Sequence, residues 1–300
     1  MKISVISTIL NEEKNIDFFI NSILNQTKKP DEIIIVDGGS KDKTYEILKK
    51  YAKKNKRLKI FQEKGANIAK GRNIAISKAK GDIIFVSDAG CIINKNWIKD
   101  TIKYFPEYDF VAGSYKAITK NNFELFQSLI VIKKVDRPTR MSGRNTAFKK
   151  KCWESVGGYS ERYLTGEDSK FHAEIINKKC KTKINPQPLV SWEMRPTLSK
   201  FFKQFYLYGR GDRRQKNLFK KGWKKNLLMI FGFWAYLIIL IGVIFISPII
   251  SLLMILLPLV VLLIYSFKFL IKTKKISALF WVPILILTKR ISYILGATFN

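Results

Sequence analysis

Ile33-Ile34-Ile35-Val36-Asp37-Gly38-Gly39-Ser40 and Ile83-Ile84-Phe85-Val86-Ser87-Asp88-Ala89-Gly90 are two short apolar runs, each stopped by an aspartate. β-Branched runs of this length, closed by Gly and Ser, read as buried parallel strands. In open α/β sheets, ligands bind in the crevice beyond the carboxyl ends of the strands. Asp37 and Asp88 fall there, on a chain whose other charges are mostly positive. That combination describes a site for a nucleotide and its metal.

Outward from these runs, residues 1–115 alternate strand and helix. Strands are expected at Ile3 to Ser7, Glu32 to Val36, Leu58 to Gln62 and Asp82 to Ser87. Helices are expected at Lys14 to Gln26, Thr44 to Lys53, Asn67 to Lys78 and Trp97 to Tyr104. Alternation of this kind argues a parallel, doubly wound sheet, an α/β Rossmann-like arrangement. Residues 116–199 are less patterned and read as the second half of the same domain, the half that shapes an acceptor pocket. From Ala112 to Ser199 the texture changes: strand-like pieces at Phe110 to Tyr115 and Ala147 to Phe148 mix with helices near Phe123 to Lys133, Lys151 to Val156 and Ser169 to Lys178.

The chain has 300 residues and a formal net charge of +31, from 54 Lys and Arg against 23 Asp and Glu. That excess predicts anionic partners. A nucleic-acid partner would rest on charge alone, without a readout motif, and would explain neither the strand-end acids nor the tail. Cys91, Cys152 and Cys180 are odd in number and contain no C-x-x-C pair, which suits buried thiols in a reducing compartment. Met1 to Thr8 is too short for a signal-peptide core and reads as the first strand, so the catalytic part is expected in the cytoplasm.

Residues 200–226 are expected to form an amphipathic segment in the membrane interface, with Phe201, Phe202, Phe205, Tyr206 and Tyr208 beside Lys200, Lys203 and Arg210. Residues 227–300 form the membrane region. The stretches 227–246 and 249–271 are long enough to cross a bilayer core, which takes roughly 20 apolar residues. Ser247-Pro248 between them predicts a helical hairpin. Lys220, Lys221, Lys224 and Lys225 precede it and Lys272, Lys274 and Lys275 follow it, so both ends read as cytoplasmic. Lys289-Arg290 interrupts Ile276 to Phe299, which favours an interfacial or reentrant helix over a third span.

The stretch Val5 to Ile16, containing Asn11-Glu12-Glu13, followed by Glu32 to Thr44, resembles the opening of family 2 glycosyltransferases of the GT-A fold. Gly81 to Asp88 is similar to their metal-binding strand, and Thr165-Gly166-Glu167-Asp168 to their catalytic-base motif. The tail resembles those of membrane-attached members that build polysaccharide or glycolipid. The resemblance implies that Asp37 contacts the donor nucleobase and that Thr8, Asn11 and Glu12 lie along the nucleotide. It also implies that Arg72 meets nucleotide or phosphate. Asp88 would hold Mg²⁺ or Mn²⁺ on the donor diphosphate, and Asp168, supported by Glu167, would be the base of an inverting transfer. The usual second metal carboxylate is replaced by Gly90, which leaves one carboxylate in that loop.

Structural readings stand beside several of these. Asp37 can close an Asx turn, and Glu12 can serve the following helix N-terminus. Thr165 can cap a helix with Asp168 three residues on. His172, the sole histidine, reads as packing or surface rather than as a ligand. Arg144 and Arg210 are candidate phosphate or acceptor contacts. The Gln-x-x-Arg-Trp string of processive relatives is missing, since Gln204 is followed by Phe205-Tyr206-Leu207-Tyr208. The expected activity is therefore non-processive transfer from a UDP- or GDP-linked sugar to a lipid-linked or saccharide acceptor, by a multi-pass protein of the cell membrane. A membrane-bound nucleotide-sugar-binding or scaffold protein without turnover is the alternative.

Overall fold

The computed structural model describes residues 1–132, 142–163, 165–215 and 224–299. Lys220 and Lys221 lie outside the described residues. The chain divides into two compact units: Met1–Ile118 with Lys133–Glu193, and Thr119–Ile132 with Met194–Asn300.

The first unit is built on an eight-stranded sheet. Strands β1 (Ile3–Ile9), β2 (Glu32–Asp37), β3 (Leu58–Gln62) and β4 (Ile83–Val86) are parallel, in the order β3-β2-β1-β4. They alternate with helices α1 (Ile16–Leu24), α2 (Thr44–Lys54) and α3 (Ile68–Lys78). Every residue of β2 and β4 is buried, as continuous apolar runs require when both sheet faces are covered.

Beyond β4 the parallel pattern ends. A short β5 (Cys91–Ile93) and α4 (Trp97–Ile102) lead to β6 (Phe110–Ile118). β7 (Thr146–Lys149) runs antiparallel to both β4 and β6, and after α6 (Lys150–Ser155) and α7 (Glu167–Asn177) comes β8 (Thr182–Glu193), parallel to β6 and antiparallel to β5. The sheet is therefore mixed: its first half is the parallel winding expected for residues 1–115, and the antiparallel pairs lie beyond it. The main core joins Ile6, Ile34, Val36, Ile84 and Val86 to Ala69 and Ala75 of α3 and Phe171 of α7. Small residues let α3 lie close to β1: a side chain at Gly71 would strike that of Thr8.

The second unit is helical. α5 (Asn122–Val131), α8 (Leu198–Arg214) and α11 (Ala278–Thr298) bury Phe123, Phe126, Phe201, Phe205, Val282 and Leu285 together. The apolar stripe of α8, expected to lie in the membrane interface, thus packs on protein. Phe201, Phe205 and Tyr208 are the inward face of an amphipathic helix that packs with α5 and α11. At this crossing, a Cβ on Gly209 would meet the backbone of Tyr293 and Ala297, and one on Gly296 the backbone of Tyr206. Gly296→Val should therefore cost about 3 kcal/mol or more, at the upper end of overpacking, because backbone cannot rotate away. Thermal inactivation of the detergent-solubilised protein checks this; an unchanged midpoint would contradict the crossing.

α9 (Lys224–Ile246) and α10 (Pro248–Thr273) form the expected hairpin. Ser247 caps α10 by accepting from the Ile250 N–H, and Pro248 occupies its first turn. Only Ile230 of α9 is buried, while Phe231, Ile238, Ile241 and Phe245 are exposed. An apolar surface of this extent is suited to lipid. Three helices, α9, α10 and α11, are long and apolar enough to cross a membrane. The charge that argued against α11 faces protein: the Lys289 amine sits 5.1 Å from the centroid of the Phe205 ring and donates to the Ile130 carbonyl at 3.4 Å.

Candidate active site

The centre of the site is Arg72, on α3. Its Nη2 donates to Asp88 Oδ1 at 2.8 Å and its Nη1 to Glu167 Oε1 at 3.0 Å. The arginine is 3% exposed, and its guanidinium carbon lies 5.3 Å from the centroid of the Tyr159 ring. Arg72, expected to meet nucleotide or phosphate, forms an internal bridge between these two carboxylates. Burial works against its charge, but Asp88 and then Glu167 outweigh this and push its pKa further up. It is a permanent cation joining the strand-end loop after β4 to the start of α7.

α7 begins at Glu167 with Gly166 as N-cap, at φ +79, and without a side-chain cap. The left-handed turn at Gly166 places the N-cap one residue beyond Thr165. Asp168 Oδ2 accepts from the Gly143 N–H at 3.0 Å and Oδ1 from the Ser169 N–H at 2.7 Å. Burial opposes ionisation of Asp168, but His172, Arg72, the Gly143 amide and Arg144 hold its pKa below the ordinary carboxylate value. His172 is itself driven down to about 4, chiefly by burial. Near neutrality the arginines and the amide therefore carry the effect. As read from sequence, His172 is a packing residue, edge-on to Phe110 with centroids 5.2 Å apart.

Glu167 behaves oppositely. Burial first, then the neighbouring Asp168 charge, raise it to about 7 despite Arg72. The pair therefore holds one proton in the acid-to-neutral range, mainly on Glu167, and leaves Asp168 charged. The linkage has a definite sign. A carboxyl whose folded pKa is raised favours folding fully below its ordinary value of 4.5, and that contribution is lost as pH rises through about 7. Glu167→Gln should accordingly flatten the fall in melting temperature across that window. An unchanged slope in melts taken at a series of pH values would count against the assignment.

At the ends of β1 and β2 the loops lock together. Asp37 is fully buried, and its Oδ1 accepts from the Gly39 N–H at 3.0 Å, the Ser40 N–H at 2.9 Å and Gln62 Nε2 at 3.0 Å. Its Oδ2 accepts from the Ser40 hydroxyl. The Asx-turn reading is realised, and the carboxylate is committed to shaping the Gly38-Gly39 turn. Asn11, at φ +55, accepts from the Lys41 N–H at 2.8 Å and donates its own N–H to the Ser40 hydroxyl oxygen at 2.9 Å. Glu12 donates its N–H to Thr44 at 2.8 Å, and its carbonyl accepts from Asn15 and Ile16 at the start of α1. Thr8 rests against Gly71.

Asp88 is 39% exposed at its side chain, and its Oδ2 lies 3.9 Å from Arg144 Nε. A Cβ on Gly90 would meet nothing within 4 Å, so the missing second carboxylate leaves open space. Among the described residues no three His, Cys, Asp or Glu side chains form a metal cluster. Cys91 is buried and its thiol is pushed up to about 12, first by burial and then by Asp88, so it is not a thiolate ligand. The donor set fits a hard cation that takes one protein oxygen, from Asp88, and the rest from phosphates and water.

Arg210 belongs to α8, in the other compact unit. Asp88, Arg72, Arg144, Glu167 and Asp168 are brought together. Sequence reading missed Tyr159 beneath Arg72 and Asn73, which accepts from the Tyr159 N–H at 2.8 Å and from Trp153 Nε1 at 3.1 Å. The double glycine Gly157-Gly158, with φ of +72 and +83, was the available sign of that tight turn.

The description "Glycosyl transferase family 2" matches residues 4–163, and "Glycosyl transferase family group 2" matches residues 102–271. The chain belongs to the family 2 glycosyltransferases and is a glycosyltransferase. One relative is the dolichyl N-acetyl-alpha-D-glucosaminyl phosphate 3-beta-D-2,3-diacetamido-2,3-dideoxy-beta-D-glucuronosyltransferase of Methanococcus voltae. It is 27% identical over 301 residues, covering 91% of this chain and 89% of that one. The fold is similar to that of the Pyrobaculum calidifontis mannosyltransferase PcManGT, solved with GDP-Man and Mn²⁺. That likeness has a TM-score of 0.61 at 17% identity and covers 99% of this chain and 85% of that one. Staphylococcus aureus TarS, solved with UDP-GlcNAc, gives a TM-score of 0.54 at 22% identity, over 70% of this chain and 66% of that one.

Proposed function

We propose that this glycosyltransferase is inverting and adds one sugar at a time, from a UDP- or GDP-linked donor to a lipid-linked or saccharide acceptor at the cytoplasmic face of a membrane. The observation that carries the reading is the division of labour between two adjacent acids. Glu167 is buried on Arg72 and holds the proton, while Asp168 is charged, half-buried and fixed by the Gly143 amide.

In this reading the nucleoside lies over the loops after β1 and β2, lined by Thr8, Asn11 and Glu12. Asp37 acts beneath it by setting the backbone of the Gly38-Gly39-Ser40 turn. Asp88 faces the diphosphate and is the residue that would hold Mg²⁺ or Mn²⁺. A divalent cation, when bound, supplies Lewis-acid neutralisation of the leaving diphosphate. Asp168 accepts the proton of the acceptor hydroxyl as its oxygen attacks the anomeric carbon and the bond from that carbon to the donor phosphate breaks. Attack opposite the leaving group inverts the anomeric centre. The flanking lysines of α9 and α10 support a cytoplasmic placement of both ends of the hairpin, and the relative from M. voltae, by its name, modifies a dolichyl phosphate sugar.

The test is to incubate detergent-solubilised protein with a panel of sugar nucleotides and a membrane lipid extract, to weigh the products by mass spectrometry and to assign their anomeric configuration by NMR. A single added hexose or N-acetylhexosamine of inverted anomeric configuration is expected. A product of retained configuration, or a long polymer, would overturn the reading.

A further inference from the structure

Arg144 is built into the site more firmly than a surface cation. Its guanidinium carbon lies 3.9 Å from the centroid of the Trp192 ring and 5.6 Å from that of Tyr115. Its Nη1 donates to the Ser142 hydroxyl at 2.8 Å, and its Nε points to Asp88 Oδ2 at 3.9 Å. The backbone behind it is pinned. Asn145 is buried, accepts from Trp97 Nε1 at 2.7 Å and donates to the Ser114 carbonyl at 2.7 Å. On the other side, the Glu193 N–H donates to the Gly90 carbonyl at 3.3 Å, tying the end of β8, next to Trp192, to the loop that carries Asp88.

A planar guanidinium stacked on an indole is held in one orientation and loses little entropy when it meets a phosphate, whose geometry its fork of donors matches. Of the two arginines facing Asp88, Arg72 is 3% and Arg144 17% exposed, so Arg144 is the one a ligand can reach. It also lies 3.9 Å from the Asp88 carboxylate, the acid of the loop in which Gly90 leaves open space. The loop supplies one carboxylate to a cation, and the fixed positive charge beside it comes from the protein.

We propose that Arg144, clamped on Trp192, binds the donor's diphosphate directly and so gives the protein a grip on the nucleoside diphosphate that needs no divalent cation. The assignment rests on the donor-site reading above and adds the group that holds the leaving phosphates. The anion class is a phosphate ester, which the donor and a lipid phosphate acceptor both contain; the assignment is to the donor.

The test uses the full-length protein in detergent with excess chelator, titrated calorimetrically with UDP, GDP, uridine, guanosine and a short-chain polyprenyl phosphate. Wild type should bind one diphosphate more tightly than its own nucleoside. Arg144→Ala should weaken that diphosphate by about 10- to 100-fold, the size of a charge-assisted hydrogen bond, and leave the nucleoside unchanged. Arg144→Lys should fall between them, and Arg144→Gln should match Arg144→Ala if its melting midpoint equals that of wild type. Equal diphosphate binding by wild type and Arg144→Ala overturns the proposal while leaving the donor site intact. So does a loss confined to the polyprenyl phosphate. Wild type that binds neither nucleotide nor nucleoside, with or without Mn²⁺, overturns the donor-site reading as well.

Discussion

Asp168→Asn is expected to lower kcat by about 10²- to 10⁴-fold, the range attributable to a positioned general base, with donor affinity unchanged. Asparagine keeps the shape, and its carbonyl oxygen can still accept from the Gly143 N–H that holds Asp168 at 3.0 Å. What it lacks is a lone pair basic enough to take the acceptor's proton. Glu167 cannot replace it. That side chain is buried, bound to Arg72 at 3.0 Å and raised to about 7, whereas Asp168 is held below the ordinary carboxylate value by the two arginines and the amide around it. Steady-state turnover and donor titration on the same preparation separate the two effects. Retention of more than about a tenth of kcat would remove Asp168 from the chemistry, since that is less than a general base contributes.

The strands of the first half and the two motif acids were legible because each is a local pattern. β2 and β4 are continuous β-branched runs, and Glu167-Asp168 begins a helix of ordinary periodicity. β8 was not legible. Its sequence, Thr182-Lys-Ile-Asn-Pro-Gln-Pro-Leu-Val-Ser-Trp-Glu193, carries two prolines that argue against a strand. The structure accommodates them with register shifts against β6 around Ser114, so the strand exists only in its tertiary setting. α8 was legible only in part. Its amphipathic stripe was read correctly, but a stripe does not say whether lipid or protein covers it, and here α5 and α11 do. The arrangement of the site lay deepest. Arg72 reaches Asp88 across 16 positions and Glu167 across 95, and no spacing rule connects such residues.

That bridge makes the second large prediction. Arg72→Met, measured above pH 7 where Glu167 is ionised in the wild type, should destabilise the protein by about 3–5 kcal/mol, the cost of leaving a buried charge without its partner. The methionine fills much of the volume, so the loss reports charge rather than a cavity. Asp88 would turn to solvent, being 39% exposed at its side chain, whereas Glu167, at 7%, has nowhere to go. Its pKa would rise further, since Arg72 is the charged neighbour that lowers it. Arg72→Lys should recover only part, because one ammonium cannot span two carboxylates met at 2.8 and 3.0 Å by separate nitrogens. The decisive variant is Arg72→Met combined with Glu167→Gln. If the stability loss arises from the orphaned acid, the double variant is more stable than Arg72→Met alone, a coupling that thermal melts in detergent measure directly. If the two losses simply add, Arg72 acts through packing on Tyr159 and not through charge. Transfer should remain poor in either case, because Arg72 also helps keep Asp168 ionised, and restoring the fold does not restore that field.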